Sequence, residues 1–332
     1  MADDLVFVVR IPCVPLLHPA TQEILDSQRN IRFISSDEVS DKNRSRVQGL
    51  YIHAGFVVVD SALMDCYPEL RVISSAGVGV DHIDLAAATI RGIRVGNTPG
   101  VVQECTADHA IGLLLASARK ICSGDSVIRQ PGFSKESIFN SFGTKVTGST
   151  LGIVGLGGVG SAVANRAKGF KMRILYHNRT RKEDKELETV VLLFYYAFVG
   201  AEYCSKLDEL LKESDFVVLC CALTDETRHL ITAAQLSQMK SSATLINVAR
   251  GGLVNHDDLT TALQNGVIRG AALDVTEPEP LPHGHPLLAL PNVIVTPHVG
   301  ATTFGTFIEM MQMVMDNLAA GISNKTLPYQ VN

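Results

Sequence analysis

LGIVGLGGVGSAVANRAKGF (151–170), followed by KMRILYHNRTRK (171–182), decides the fold. An apolar strand-like run ends in Gly155-Leu156-Gly157-Gly158-Val159-Gly160, a GxGxxG. A helical pattern opens at once over Val159–Lys168. That strand–turn–helix context is what makes the motif a dinucleotide fingerprint and not a chance match. Gly155 permits the tight turn, Gly157 lets the backbone approach a pyrophosphate, and Gly160 allows the helix to pack close to the strand. Gly158 and Val159 add free N–H groups at the helix N-terminus, where the dipole also favours phosphate. The similar run Gly77-Val78-Gly79 lacks the third glycine and is no cofactor turn.

The strand after the turn selects the cofactor. NAD sites usually end it with Asp or Glu for the ribose 2′-OH. Here it ends His177-Asn178-Arg179-Thr180-Arg181-Lys182, without an acid. Residues 165–185 carry eight Lys or Arg against two acids, in a chain of net charge −5. A 2′-phosphate is held best by guanidinium groups. The expected cofactor is NADP(H), with NAD(H) as the alternative, contacted by Asn178, Arg179, Thr180 and Arg181.

Outward from this unit, DFVVLCC (215–221), ATLINVA (243–249), IRGAALDV (268–275) and NVIVTP (292–297) read as strands. Runs this apolar belong to parallel sheets covered on both faces. Upstream, LVFVVR (5–10), IRFIS (31–35), GLYIH (49–53), RVISSA (71–76) and IRVGN (93–97) alternate with helical segments at 20–28, 61–67 and 80–91. Alternation of this kind implies a second α/β layer. Thr98-Pro99-Gly100 breaks the chain before a helix over 101–118. The reading is two doubly wound parallel-sheet α/β domains. A dinucleotide-binding domain takes 101–297, and a discontinuous substrate-binding domain takes 1–100 plus 298–332. The helix Phe304–Ile322 packs back on the latter.

Composition fits. The chain has 332 residues, 46% hydrophobic and 19% charged, enough for two cores. No basic field draws it to nucleic acid or an anionic membrane. No apolar run approaches the ~20 residues that span a bilayer, and the acidic N-terminus is no signal peptide. Seven cysteines (13, 66, 105, 122, 204, 220, 221) form no CxxC, and no cluster has metal spacing. They read as small buried hydrophobes of a cytoplasmic protein. The run TVVLLFYYAFV (189–199) lengthens one crossover and fits no standard unit, as an insert, an artefact or an extra packed element.

Three polar residues follow apolar strands: Arg250 in NVARGG, Glu279 in DVTEPEP and His298 in TPHVG. Ligands of an open parallel sheet bind outside the carboxyl ends of its strands. All three therefore point to the crevice of the glycine turn. Reduction of a 2-keto acid needs a hydride donor, an anchor for the carboxylate and a proton for the emerging alkoxide. Arg250 suits the anchor. His298 suits the proton donor near neutral pH, with Glu279 steadying its ring.

The motifs SSAGVGVDHIDL (74–85), NTPGVVQECTADHAIGLLLA (97–116), GIVGLGGVGSAVA (152–164), YHNRTR (176–181), LINVARGGLV (245–254), AALDVTEPEPLP (271–282) and TPHVGATT (296–303) carry a family resemblance. Together they resemble the D-isomer-specific 2-hydroxyacid dehydrogenases, and among these the glyoxylate/hydroxypyruvate reductases. The resemblance implies two Rossmann-like domains with a cleft between them, usually in a homodimer. It implies a small 2-keto or 2-hydroxy acid substrate, with no nucleic acid, membrane or metal. Arg250, Glu279 and His298 match the family's catalytic trio. Val78 and Gly79 match its amide donors to the substrate carboxylate, Thr106 lies near the cofactor, and Asp274 meets the nicotinamide amide.

Departures from the family pattern matter as well. Formate dehydrogenases resemble the trio but have Gln in place of Glu279, so formate is disfavoured. The C-terminal regulatory domain of long phosphoglycerate dehydrogenases is absent. Many members carry Trp within 132–148; this chain has no Trp, and Phe133 or Phe142 stands in. A sugar-acid (2-ketogluconate-type) or branched 2-keto acid reductase would use the same machinery. An NAD(H)-sensing binding protein or a silenced enzyme on this scaffold remains the alternative of another class.

Overall fold

The computed structural model describes residues 6–11, 23–25, 30–53, 57–131, 142–182 and 200–332. The run 189–199, Cys13 and Phe133 lie outside the described residues. Two compact units form, Met1–Val102 with Thr302–Asn332, and Gln103–Ala301.

The first unit holds a five-stranded sheet of β1 (Val6–Ile11), β2 (Ile31–Ser35), β3 (Val47–His53), β4 (Val72–Ala76) and β5 (Arg94–Gly96). Their order is β2-β1-β3-β4-β5, and every pairing is parallel. All five residues of β4 are buried, as a central parallel strand requires. The 19-residue helix Phe304–Ile322 covers one face. Its Met311, Val314, Met315 and Leu318 pack with Val8, Tyr51 and Val72. Each large apolar side chain fully buried in this way contributes roughly 1.5–3 kcal/mol.

A single polar residue fixes where that helix sits. Asn317 is fully buried. Its Nδ2 donates to the Asn97 carbonyl (3.1 Å) and to Ser74 Oγ (3.3 Å), and its Oδ1 accepts from the Tyr329 amide (3.2 Å). Gly96 must be glycine here, because a Cβ would lie 2.6 Å from Asn317 Nδ2. β4 and the end of β5 are thereby tied to the C-terminal helix.

The second unit holds β6 (Thr150–Val154), β7 (Arg173–His177), β8 (Glu202–Tyr203), β9 (Phe216–Leu219), β10 (Thr244–Asn247), β11 (Gly270–Leu273) and β12 (Val293–Val295). The order is β12-β11-β10-β9-β6-β7-β8, again all parallel. Chain order reverses direction between β6 and β9, the switch point where doubly wound sheets bind ligands. β9, β10 and β11 are buried at every position. The two-residue β8, Glu-Tyr, has no apolar run and was not expected as a strand; it extends the edge beyond β7.

The cysteines depart from expectation. Cys204 is buried, Cys66 and Cys122 are exposed, and Cys105, Cys220 and Cys221 are intermediate; all six are free thiols. Small size let two of them occupy solvent-facing positions at no packing cost. No described helix is long and apolar enough to cross a membrane.

Candidate active site

The glycine turn leaves β6 at the switch point. Gly155 has φ +99°. A Cβ there would lie 2.6 Å from the Cys221 amide nitrogen, which follows β9. Both the backbone angle and the space demand glycine. Gly160 is equally constrained, since a Cβ would strike the Gly155 carbonyl. Gly157 differs: among the described residues, no atom beyond its chain neighbours lies within 4 Å of its ideal Cβ. Its open face adjoins the helix Gly158–Lys168, whose first amides point out of the helix. Tight packing at Gly155 and Gly160 beside an open Gly157 is the arrangement a pyrophosphate needs. Gly158 lies against the Gln103 side chain, and Val159 is the next residue of the helix.

The end of β7 supports this turn. Asn178 Oδ1 accepts from the Leu156 amide (2.7 Å), so Asn178 braces the glycine turn itself. Arg179, Thr180, Arg181 and Lys182 are exposed. The Arg181 guanidinium lies 5.6 Å above the Tyr203 ring. Not all of the local basic charge faces this way. Arg173 pairs with Glu202 and Glu213 (both 2.6 Å), and Arg166 pairs with Asp108 (2.6 Å) and Glu104 (2.8 Å). Arg166 and Arg173 are thus engaged by acids, while Arg179, Arg181 and Lys182 directly follow the brace at Asn178.

Arg250 follows β10. The fully buried Asn247 shapes its turn, donating from Nδ2 to the Arg250 carbonyl (2.8 Å) and accepting the Ala249 amide on Oδ1 (3.1 Å). Gly251 then lies against the backbone of Thr276, too close for any side chain. The Arg250 turn and the Asp274–Glu279 loop are thus packed backbone to backbone.

Glu279 and His298 meet directly. His298 Nδ1 lies 2.8 Å from Glu279 Oε1, with side chains 25% and 28% exposed. His298 has φ +55°, a left-handed conformation that a non-glycine residue holds only when its surroundings impose it. Asp274 imposes it. Its carbonyl accepts the His298 amide (2.8 Å), Oδ1 accepts the Val299 amide (2.9 Å) and Oδ2 the Gly300 amide (2.8 Å). Because of these bonds His298 belongs to the second unit. Asp274 is 2% exposed. Burial pushes its carboxyl pKa up, but hydrogen bonds from His109, Thr296, Val299 and Gly300 outweigh this and hold it below the usual range. Thr106 is buried, its Cγ2 3.6 Å from an ideal Cβ on Gly300.

Val78 and Gly79 lie in the first unit, after β4. Gly77 has φ +136°, its amide donates to Thr98 Oγ1 (2.8 Å), and Asn97 Nδ2 donates to the Val78 carbonyl (2.8 Å). Val78 is 43% exposed. Phe142 is also exposed. Sequence reasoning did not single out Asn247, Asn97 or His109. An Asn closing an apolar strand was the available signal for Asn247. No group of three metal-ligating side chains occurs among the described residues.

Residues 111–300 match the model of the D-isomer specific 2-hydroxyacid dehydrogenase NAD binding domain. Over 278 residues the chain is 44% identical to the glyoxylate reductase of Pyrococcus horikoshii, covering 82% of this chain and 80% of the relative. The chain belongs to the D-isomer specific 2-hydroxyacid dehydrogenases. It is an NAD(P)-dependent oxidoreductase. Among solved structures, this dehydrogenase is similar to the NADPH-dependent glyoxylate/hydroxypyruvate reductase of Sinorhizobium meliloti in complex with NADP and malonate. The TM-score is 0.84 and the identity 32%, over 98% of this chain and 96% of the other. A glyoxylate reductase of Paecilomyes thermophila gives a TM-score of 0.80 at 31% identity over 98% of each chain.

Proposed function

We propose that this dehydrogenase reduces 2-keto acids of the glyoxylate/hydroxypyruvate type to 2-hydroxy acids, of D configuration where C2 is a stereocentre, with NADPH as the preferred cofactor. The observation that carries the reading is the 2.8 Å contact of His298 Nδ1 with Glu279 in a member of this family. With Nδ1–H engaged by a carboxylate, Nε2 is the atom left to exchange a proton with substrate. A nicotinamide cofactor held at the glycine turn would supply the hydride for the carbonyl carbon. Arg250 holds the substrate carboxylate and polarises the carbonyl. His298 Nε2 gives its proton to the carbonyl oxygen as the alkoxide develops, and Glu279 keeps the ring in place. Hydride and proton together yield the 2-hydroxy acid. In the reverse direction His298 is the base. Val78 and Gly79 are proposed to donate their amides to the substrate carboxylate. Thr106 and Asp274 are proposed to face the cofactor.

The preference for NADPH rests on two supports. β7 ends without an acid, and Arg179 and Arg181 are exposed beside the glycine turn. The S. meliloti reductase, described as NADPH-dependent, is similar over nearly the whole chain. A homodimer is part of the proposal. The helix Ile121–Ile128 has no buried residue, and Ile121 and Ile128 are 55% and 62% exposed. The cytoplasm is the proposed compartment, in keeping with six free thiols. The test is oxidation of NADPH by the purified protein with glyoxylate or hydroxypyruvate, against NADH. Turnover with a clear NADPH preference supports the reading. A folded protein without turnover refutes it, and equal use of NADH refutes the cofactor assignment.

A further inference from the structure

The carboxylate that organises the His298 turn is itself held by a histidine. His109 lies on the helix Gln103–Ala118. Its Nε2 is 3.0 Å from Thr296 Oγ1 and 3.2 Å from Asp274 Oδ1. Thr296 Oγ1 in turn donates to the same Asp274 Oδ1 at 2.6 Å. A hydroxyl has one hydrogen. With that hydrogen on Asp274, Thr296 Oγ1 can only accept from His109. The ring nitrogen facing these two oxygens must therefore carry a hydrogen, which places a hydrogen on His109 Nε2.

The consequences run to His298. Oδ1 of Asp274 meets three donors: His109, Thr296 and the Val299 amide. A buried carboxylate saturated in this way has one orientation, because any rotation strands a donor in a nearly dry site. Oδ2 and the Asp274 carbonyl then hold the Gly300 and His298 amides. Three consecutive amides, from His298 to Gly300, hang from Asp274. There is no slack: an ideal Cβ on Gly300 would lie 2.9 Å from Asp274 Oδ2 and 3.7 Å from His109 Cδ2.

We propose that His109 is a positioning residue for proton transfer, acting through Thr296 and Asp274 to fix the backbone that presents His298. The inference rests on the proposed role of His298. In this assignment His109 acts through Thr296 and Asp274 and not on the substrate itself. Its task is to supply a hydrogen on the nitrogen that faces Asp274. Gln can place an amide N–H near that position, whereas Leu fills the space without a donor.

The experiment combines histidine nitrogen–proton NMR of the cofactor-free protein with steady-state kinetics. The variants are His109→Leu, His109→Gln and Thr296→Val. His109 is expected to show the Nε2–H pattern in the wild type. His109→Leu is expected to displace the ring signals of His298 and to lower kcat by about 10- to 100-fold, with a smaller change in KM for the keto acid, as for a misplaced reacting group. His109→Gln is expected to restore the His298 signals and most of kcat. An Nδ1–H pattern for His109 would overturn the proposal. So would unmoved His298 signals and wild-type kcat in His109→Leu. Equal damage by Leu and Gln, in step with equal losses of thermal stability, would show a merely space-filling residue and overturn it too. Failure of the reductase reading is seen separately, as absence of turnover in the wild type. The NMR arms need no turnover and still decide the positioning role.

Discussion

In the first sheet the chain leaves β4 through Gly77-Val78-Gly79; in the second it leaves β6 through Gly155–Gly160. Both turns follow a buried parallel strand, and both begin with a glycine at positive φ, +136° and +99°. They part immediately afterwards. After Gly157 an 11-residue helix begins at once. After Gly79 the next helix, Leu85–Ile90, starts six residues later. An anion gains from a helix N-terminus only when the turn delivers it there, since the effect fades within one turn of helix. Gly77–Gly79 is instead a braced loop, tied to Thr98, Asn97 and through Asn317 to the C-terminal helix. The same three-letter pattern thus opens directly onto a helix N-terminus in one unit and makes a fixed rim of backbone in the other.

If chemistry resides in the second unit, its largest loss comes from the second unit alone. His298→Gln is expected to lower kcat by about 10²–10⁴-fold, the usual worth of a general acid. NADPH binding, followed by its fluorescence, should persist because the glycine turn is untouched. Retained turnover would remove His298 as the acid. Arg250→Ala ranks next, with about 2–4 kcal/mol lost in kcat/KM, on the scale of an oxyanion donor. Cofactor affinity again serves as the control. An unchanged kcat/KM would place Arg250 outside the site.

The third effect tests the proposed phosphate site. Arg179→Ala combined with Arg181→Ala is expected to raise KM for NADPH roughly 10- to 100-fold, the loss of one or more hydrogen bonds to a charged group. KM for NADH should move far less. Equal changes for the two cofactors would leave the difference between the turns intact but remove the 2′-phosphate from it.

How much of this was legible in the sequence follows from the range of the interactions. FVVL, TLIN and GAAL announced buried parallel strands because they are dominated by apolar or small residues covered on both faces, with Asn247 the polar exception at the end of TLIN. Glu202–Tyr203 did not, because an edge strand of two residues has no buried period to display. GxGxxG was legible because strand, turn and helix are contiguous. His109 was not. ADHAIGLLLA reads as an apolar helix, and the hydroxyl that gives its ring a purpose lies 187 residues away in Thr296. The basic count over 165–185 was legible but overstated the cofactor site, because Arg166 and Arg173 are claimed by Glu104, Asp108, Glu202 and Glu213.

The two units should also differ in acid. In the first unit His53 Nε2 lies 3.0 Å from Tyr51 Oη, and its ring stacks on Phe307. Tyr51 Oη also lies 3.0 Å from Met311 Sδ. Burial lowers the His53 pKa from 6.5 to about 4. The unfolded chain therefore takes up this proton more readily than the folded one. Stability from neutral His53 is complete above pH 6.5 and declines as pH falls toward about 4, by at most about 3 kcal/mol. In the second unit Asp274 is depressed below its usual 3.8, so its contribution is lost only below that range. Between pH 6.5 and 4 the first unit should loosen more than the second, where burial also lowers the pKa of His256 but by less than that of His53. Hydrogen exchange of β3 and β10 amides across this window checks the order. His53→Phe should abolish the early loss in β3, and an unaltered profile would place the acid-sensitive group elsewhere.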